Sequence, residues 1–176
     1  MSDFFVIFAK QNADADAAFL AILDKMTNDE REESRKSYYD SLSGLARHVL
    51  GGTVFFLGKF KDAVPNNAAA QSALAPLAGV EIFHDVKRLS EDQWKKVAAG
   101  FGIADKAYVD FVSALTDKDL DAPVKWFGNP DTVPLYFALQ SLIAHNLHHR
   151  GQISQILDSL KIDNDYSGIN ADYLKK

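Results

Sequence analysis

The chain has 176 residues, enough for one domain with a sizeable core, and its 47% hydrophobic and 24% charged composition is that of a folded globular protein, not a disordered or fibrous one. It has no cysteine, which excludes disulfides, protein thiolate nucleophiles and cysteine metal ligands. A net charge of −5 argues against a dedicated nucleic-acid binder, and the basic clusters at 31–36 and 87–96 are interrupted by acids, so neither forms a phosphate track.

Apolar residues recur at steps of three and four through four long segments, while alternation with period two is nearly absent. The expectation is an all-α fold in a single domain spanning 1–176. No apolar run approaches the roughly 20 residues that cross a bilayer, so no membrane partner is expected. The opening MSDFFVIFAK sets an acid before a short apolar run, unlike a signal peptide, and the cytoplasm is the expected compartment.

The first helix is expected over about 3–26, with Phe8, Asn12, Ala15, Phe19, Ile22 and Met26 on one stripe and Asn12 its only polar member. Thr27-x-x-Glu30 has the form of a capping box and predicts a short helix. The second long helix is expected over 38–61, on Tyr38, Leu42, Leu45, Val49, Gly52 and Phe56. The connector that follows has turn chemistry at Pro65, Asn66 and Asn67, and its length predicts a further short helix or packed loop within 68–80. Ser90-x-x-Gln93 caps the third long helix, 90–116, in which Gly100 and Gly102 permit close approach of a neighbour. A connector over 116–130 leads to the last helix, 132–160, with Asp131 or Thr132 as its cap and Pro134 in its first turn. The polar tail is expected to lie across the end of the bundle.

The last helix contains LIAHNLHHRGQ, residues 142–152, where imidazoles replace leucine on the seam Leu135, Ala138, Leu142, His145, His149, Gln152, Ile156 and Leu160. Side chains four apart lie one above the other, so His145 and His149 can present two nitrogens to one metal. Two ligands fall short of the three that a catalytic zinc-like site commonly has. His48, in SGLARHVLGG, is the candidate third, with Gly51 and Gly52 leaving room beside it for a metal or a substrate. The structural alternative is a set of core histidines satisfied by one another and by water.

The remaining candidates are read one by one. His148 points about 100° away from His149 and is expected to face solvent or make a structural hydrogen bond. His84 lies in a connector and on that ground is not expected among the ligands. Arg150 is expected to pair with a carboxylate at the bundle surface, ahead of binding an anion, and Gly151 to allow close helix contact. Gln152 can hydrogen-bond a metal-bound water or a histidine N–H. Trp126 and Phe127, beside Gly128, line a pocket mouth or fold onto the bundle end.

The segment AHNLHHRGQISQIL resembles the terminal-helix signature of the DinB-like (DinB/YfiT) metalloprotein superfamily, and SYYDSLSGLARHVLGG resembles the segment that supplies its first histidine. The resemblance covers essentially the whole chain in order and spacing. It implies a four-helix bundle in an up-down-down-up arrangement with long crossover connections, and a homodimer. It also implies a metal triad of His48, His145 and His149 holding one nickel or zinc per chain. Ser141 stands where some relatives carry another histidine, so a fourth histidine ligand is not expected. Three functions follow from the resemblance: a metal-dependent transferase using a low-molecular-weight thiol, a non-catalytic metal-binding stress or sensor protein, and a metal-dependent hydrolase. For the hydrolase the weak candidates for a base are Asp40 and Asp105, both expected at the surface.

Overall fold

The capping signals of the sequence set the helix ends. The computed structural model describes residues 2–128 and 131–174. Its helices and strands are α1 (Ser2–Leu23), α2 (Asn28–Arg31), α3 (Leu42–Ala63), α4 (Ala68–Ala73), α5 (Glu91–Ala114), β1 (Pro123–Lys125), β2 (Thr132–Pro134) and α6 (Leu135–Ser159). Thr27 with Glu30, and Ser90 with Gln93, form complete capping boxes at α2 and α5, each satisfying two otherwise orphaned backbone donors. Asn67 caps α4, the short helix foreseen in the long connector, which continues as a 3₁₀ turn over Ala75–Gly79.

The four long helices close into an all-α bundle. α1 packs chiefly on α5 and α3 on α6, while α5 also meets α3 and α1 meets α6. Consecutive long helices are therefore diagonal at the first and last connections and neighbours at the middle one. Arg31 ties one end together from a buried position: it donates to the Leu23 and Met26 carbonyls at the end of α1, pairs with Glu91 and stands over the Trp94 ring. Gly100 does what its sequence position suggests, since a Cβ there would come within 2.9 Å of Leu50 and 3.1 Å of Val80. Gly102 does not, having open space around it.

Four expectations need correction. The second long helix begins at Leu42, not at 38, because Ser41 accepts from the Gly44 amide and stops it; Tyr38 is 92% exposed and is no seam residue. Neither Asp131 nor Thr132 caps the last helix. Thr132 instead pairs with Lys125 in a two-stranded antiparallel hairpin whose inward residues are Val124 and Val133, and Pro134 takes the cap position with no side-chain bond. Asn129 and Pro130, at the end of the expected connector, lie outside the described residues. The tail runs back along α1, not across the bundle end: the Tyr166 hydroxyl donates to the Arg150 carbonyl at 3.2 Å, and Tyr173 reaches Asp14 and Lys10.

Candidate metal centre

α3 and α6 bring three imidazoles to one point. His48 Nε2 lies 3.0 Å from His145 Nε2 and 3.1 Å from His149 Nε2, and the three ligand atoms all fall within 4.8 Å of one another. The outer nitrogens are set by amides. His145 Nδ1 is 3.0 Å from Asn146 Oδ1, and His149 Nδ1 is 2.8 Å from Gln152 Oε1. The Asn146 amide cannot turn round, because its nitrogen donates to Asn12 Oδ1 at 2.9 Å and Thr53 Oγ1 at 3.1 Å. A carbonyl oxygen can only accept, so the His145 ring donates from Nδ1 and the lone pair of its neutral form points from Nε2; with Gln152 Oε1 as the acceptor, His149 is arranged in the same way.

Those lone pairs are the test of fit for a metal. A proton on His48 Nε2 can reach only one neighbour, whereas a cation satisfies all three. An ion with bonds of about 2.0–2.1 Å holds ligand nitrogens roughly 3 Å apart, which matches the two short separations. The three histidines fit a divalent ion. Burial, then the charges of His149 and His145, pushes the His48 imidazole down to about 4, and burial also lowers His149. Both are thus neutral near pH 7, the form that ligates.

Local sequence explains the placement. Gly52 makes space for the His145 ring as well as lining the cavity: a Cβ at 52 would stand 3.0 Å from His145 Nε2 and 3.1 Å from Nδ1. Gly52→Ala is therefore expected to lower metal affinity by about ten-fold or more, although alanine favours the helix, as measured by competition with a chelating dye. Tyr39 stacks on His48 with centroids 3.9 Å apart and meets His149 edge-on. It gets there because Gly44 has no Cβ to collide with the Tyr39 carbonyl.

Beside His48 and His145 opens a cavity of about 560 Å³, lined also by Arg47, Phe55, Phe56, His84 and Phe127. Phe127 is one of its lining residues. Trp126 does not line it but packs behind, against Phe56 and Phe137. His84 is exposed on the cavity wall and stands outside the histidine cluster, and His148 is exposed with its ring edge-on to His149.

The deepest residues of α6 are not its histidines. Asn146 is fully buried and Arg150 nearly so, while His145 is half-buried. Arg150 pairs with Asp16 at 2.9 Å and donates to Asn12 Oδ1 at 2.6 Å, so its carboxylate lies in the core and not at the surface. Asn12 in turn donates to Asp16 and Asp105 at 3.0 and 2.9 Å. Burial, and next the charge of Asp16, raises Asp105 well above the usual carboxylate range. Asp16 is raised less by its own burial because Arg150 opposes the rise. We therefore place the proton on Asp105 and the negative charge on Asp16. Asp105 is buried, contrary to expectation, and Asp40 is exposed with Ser34 as its partner, so neither acid lines the cavity. A Cβ at Gly151 would meet nothing within 4 Å, so this glycine makes no close helix contact.

Asn146, Asn12, Asp16 and Tyr39 were not among the sequence candidates for the site. The signal that could have found the first two is a polar residue at a core position of each stripe, with only one helix residue separating Asn146 from the histidine phase.

A helical bundle with a three-histidine cluster shared between two helices, able to hold one divalent ion, is the class of protein these features define. The chain belongs to the DinB superfamily, whose family model matches residues 11–153, a span containing all three histidines and the Asn12–Arg150 network. No curated protein and no solved structure matches it. Among the described residues no helix is long and apolar enough to cross a membrane.

Proposed function

We propose that the chain binds one nickel or zinc ion through Nε2 of His48, His145 and His149, and uses it to activate a low-molecular-weight thiol for transfer to a substrate held in the adjoining cavity. The observation that carries this is the convergence of three imidazoles, the outer nitrogens of two of them bonded to side-chain amides, on the wall of an open cavity. Bound there, such an ion lowers the pKa of a coordinated thiol or water toward neutrality. The chain's own residues do the rest. Asn146 and Gln152 keep the rings oriented, Tyr39 covers one face of His48, and Phe55, Phe56 and Phe127 limit water beside the reacting group.

Thiol transfer is favoured over hydrolysis because no aspartate or glutamate among the described residues lines the cavity to act as base, and a thiol with a lowered pKa needs none. It is favoured over a purely structural metal because a site that only joined α3 to α6 would gain nothing from a cavity at its ligands. A homodimer in the cytoplasm belongs to the same proposal. The test is thiol consumption by the metal-loaded protein with a panel of cysteine-derived thiols and 1-chloro-2,4-dinitrobenzene. A rate about ten-fold or more above the uncatalysed one, lost in His145→Ala, is expected. A variant that melts earlier yet leaves every thiol rate unchanged returns the protein to the non-catalytic class.

A further inference from the structure

α3 offers the cavity two parallel stripes at four-residue spacing, Arg47–Gly51–Phe55 and His48–Gly52–Phe56. At 1.5 Å per residue, about 12 Å of helix separates residue 47 from residue 55. The glycines form the floor, and Gly51 admits the loop that carries His84: a Cβ there would lie 3.1 Å from Ile82 and 3.6 Å from His84. The result is a trough with different chemistry at its two ends.

At one end is a cation without an anion. Arg31 and Arg150, the buried arginines, each hold a carboxylate. Arg47 is partly buried and has none among the described residues; it gives Nη1 to the Phe83 and Val86 carbonyls, and its Nε and Nη2 have no acceptor there. His84 lines the same cavity with its imidazole. At the other end Phe55 and Phe127 stack at 5.9 Å and 18°, both about half exposed, with Lys59 over the pair at 5.2 and 4.8 Å. Half-exposed aromatic rings that share a trough with a partly buried guanidinium lacking a carboxylate partner select a ligand that is flat, apolar and negatively charged at one end.

We infer that the trough is a subsite for an organic anion with a flat apolar body, an arenecarboxylate in chemical class, its charge on Arg47 and its ring along Phe55 and Phe127. Its use as a substrate site rests on the metal-dependent reading, whereas the contact between Arg47 and the carboxylate does not.

The experiment is calorimetric titration with 2-naphthoate and, as its neutral counterpart, 2-naphthamide. The acid is expected to bind about ten-fold more tightly than the amide, both to the metal-loaded wild type and to His149→Ala, whose centre lacks a ligand. Arg47→Gln is expected to remove that preference, and Phe127→Ala to weaken acid and amide alike. Equal binding of acid and amide to wild type overturns the inference. So does a preference that persists in Arg47→Gln but vanishes in His149→Ala, since the carboxylate would then sit on the ion. A wild type that takes up no metal yet prefers the acid keeps the subsite and removes the metal-dependent reading. Because Arg47 also holds the loop at 83–86, one measurement uses no substitution: 2-naphthylmethylammonium, with the opposite charge, is expected to bind no better than the amide, and tighter binding of the cation than of the acid overturns the inference.

Discussion

Elemental analysis of the untagged protein is expected to give about one nickel or zinc per chain, and His48→Ala and His149→Ala less than about a tenth of that. The expectation follows from geometry shared between two helices. Each imidazole supplies one of three donors, and with one removed the remaining pair cannot complete the three-ligand set common to such sites. His48→Ala is the more searching of the two, because its ring alone comes from α3 and stands within about 3 Å of both others. Gln152→Ala is expected to weaken binding by about ten- to a hundred-fold without abolishing it, since it frees the His149 ring but removes no ligand. Metal binding only to the folded chain would add about 2.7 kcal/mol of stability at a hundred times its dissociation constant, so removing it with a chelator should lower the melting temperature of wild type and leave His48→Ala unmoved. Full occupancy in His48→Ala would remove the centre as described.

How much of this could be read in advance differs from residue to residue. His145 and His149 were legible because a four-residue step is a local property of a helix, and His48 because a metal needs a third donor from elsewhere. Asn146 and Arg150 were not. An α-helix turns 3.6 residues per cycle, so a stripe drawn through 142, 145, 149 and 152 drifts away from the true core line through 142, 146, 149, 150 and 153. The same shift of one position separates the expected Tyr38 from Tyr39, and there the cause is Ser41, whose side chain ends the helix and leaves 37–40 to fold back over His48. The hairpin escaped notice because each strand has three residues, too few to show a period of two. The roles of Gly52 and Gly44 depend on what stands opposite them, which no sequence window contains.

The polar core and the histidine cluster form one connected object. His145 leans on Asn146, Asn146 on Asn12, and Asn12 on the Asp16–Arg150 pair, all within hydrogen-bond distance and all buried apart from the imidazole. An apolar seam would stabilise the bundle as well or better. A chain of fixed donors and acceptors does something a leucine seam cannot, which is to define which nitrogen of His145 carries the proton.

That network makes a prediction in which two buried aspartates, joined through one asparagine, respond with opposite signs. Asp16→Asn leaves the Arg150 guanidinium without its ionised partner in the core, and breaking a buried pair in this way costs about 3–5 kcal/mol. For a chain of this size that is a fall of roughly 10 °C in melting temperature. Asp105→Asn should do the reverse. Its oxygen still accepts from Asn12, and an amide N–H replaces the proton that the carboxyl gives to Asp16. The sign with pH follows from its raised folded value. The folded chain keeps this proton above 3.8, where the unfolded chain releases it, so the stabilisation present below 3.8 is lost as pH rises through the folded value. Asparagine has no proton to lose, and the variant should gain on wild type progressively from pH 4 toward neutrality. The double variant is expected to be less stable than the two single effects add up to, because in Asp16→Asn the carboxyl of Asp105 can still ionise and partly replace the lost charge. Denaturant titrations of the four proteins at pH 4 and 7 test this; an Asp105→Asn protein as damaged as Asp16→Asn would show that the proton had been placed on the wrong carboxylate.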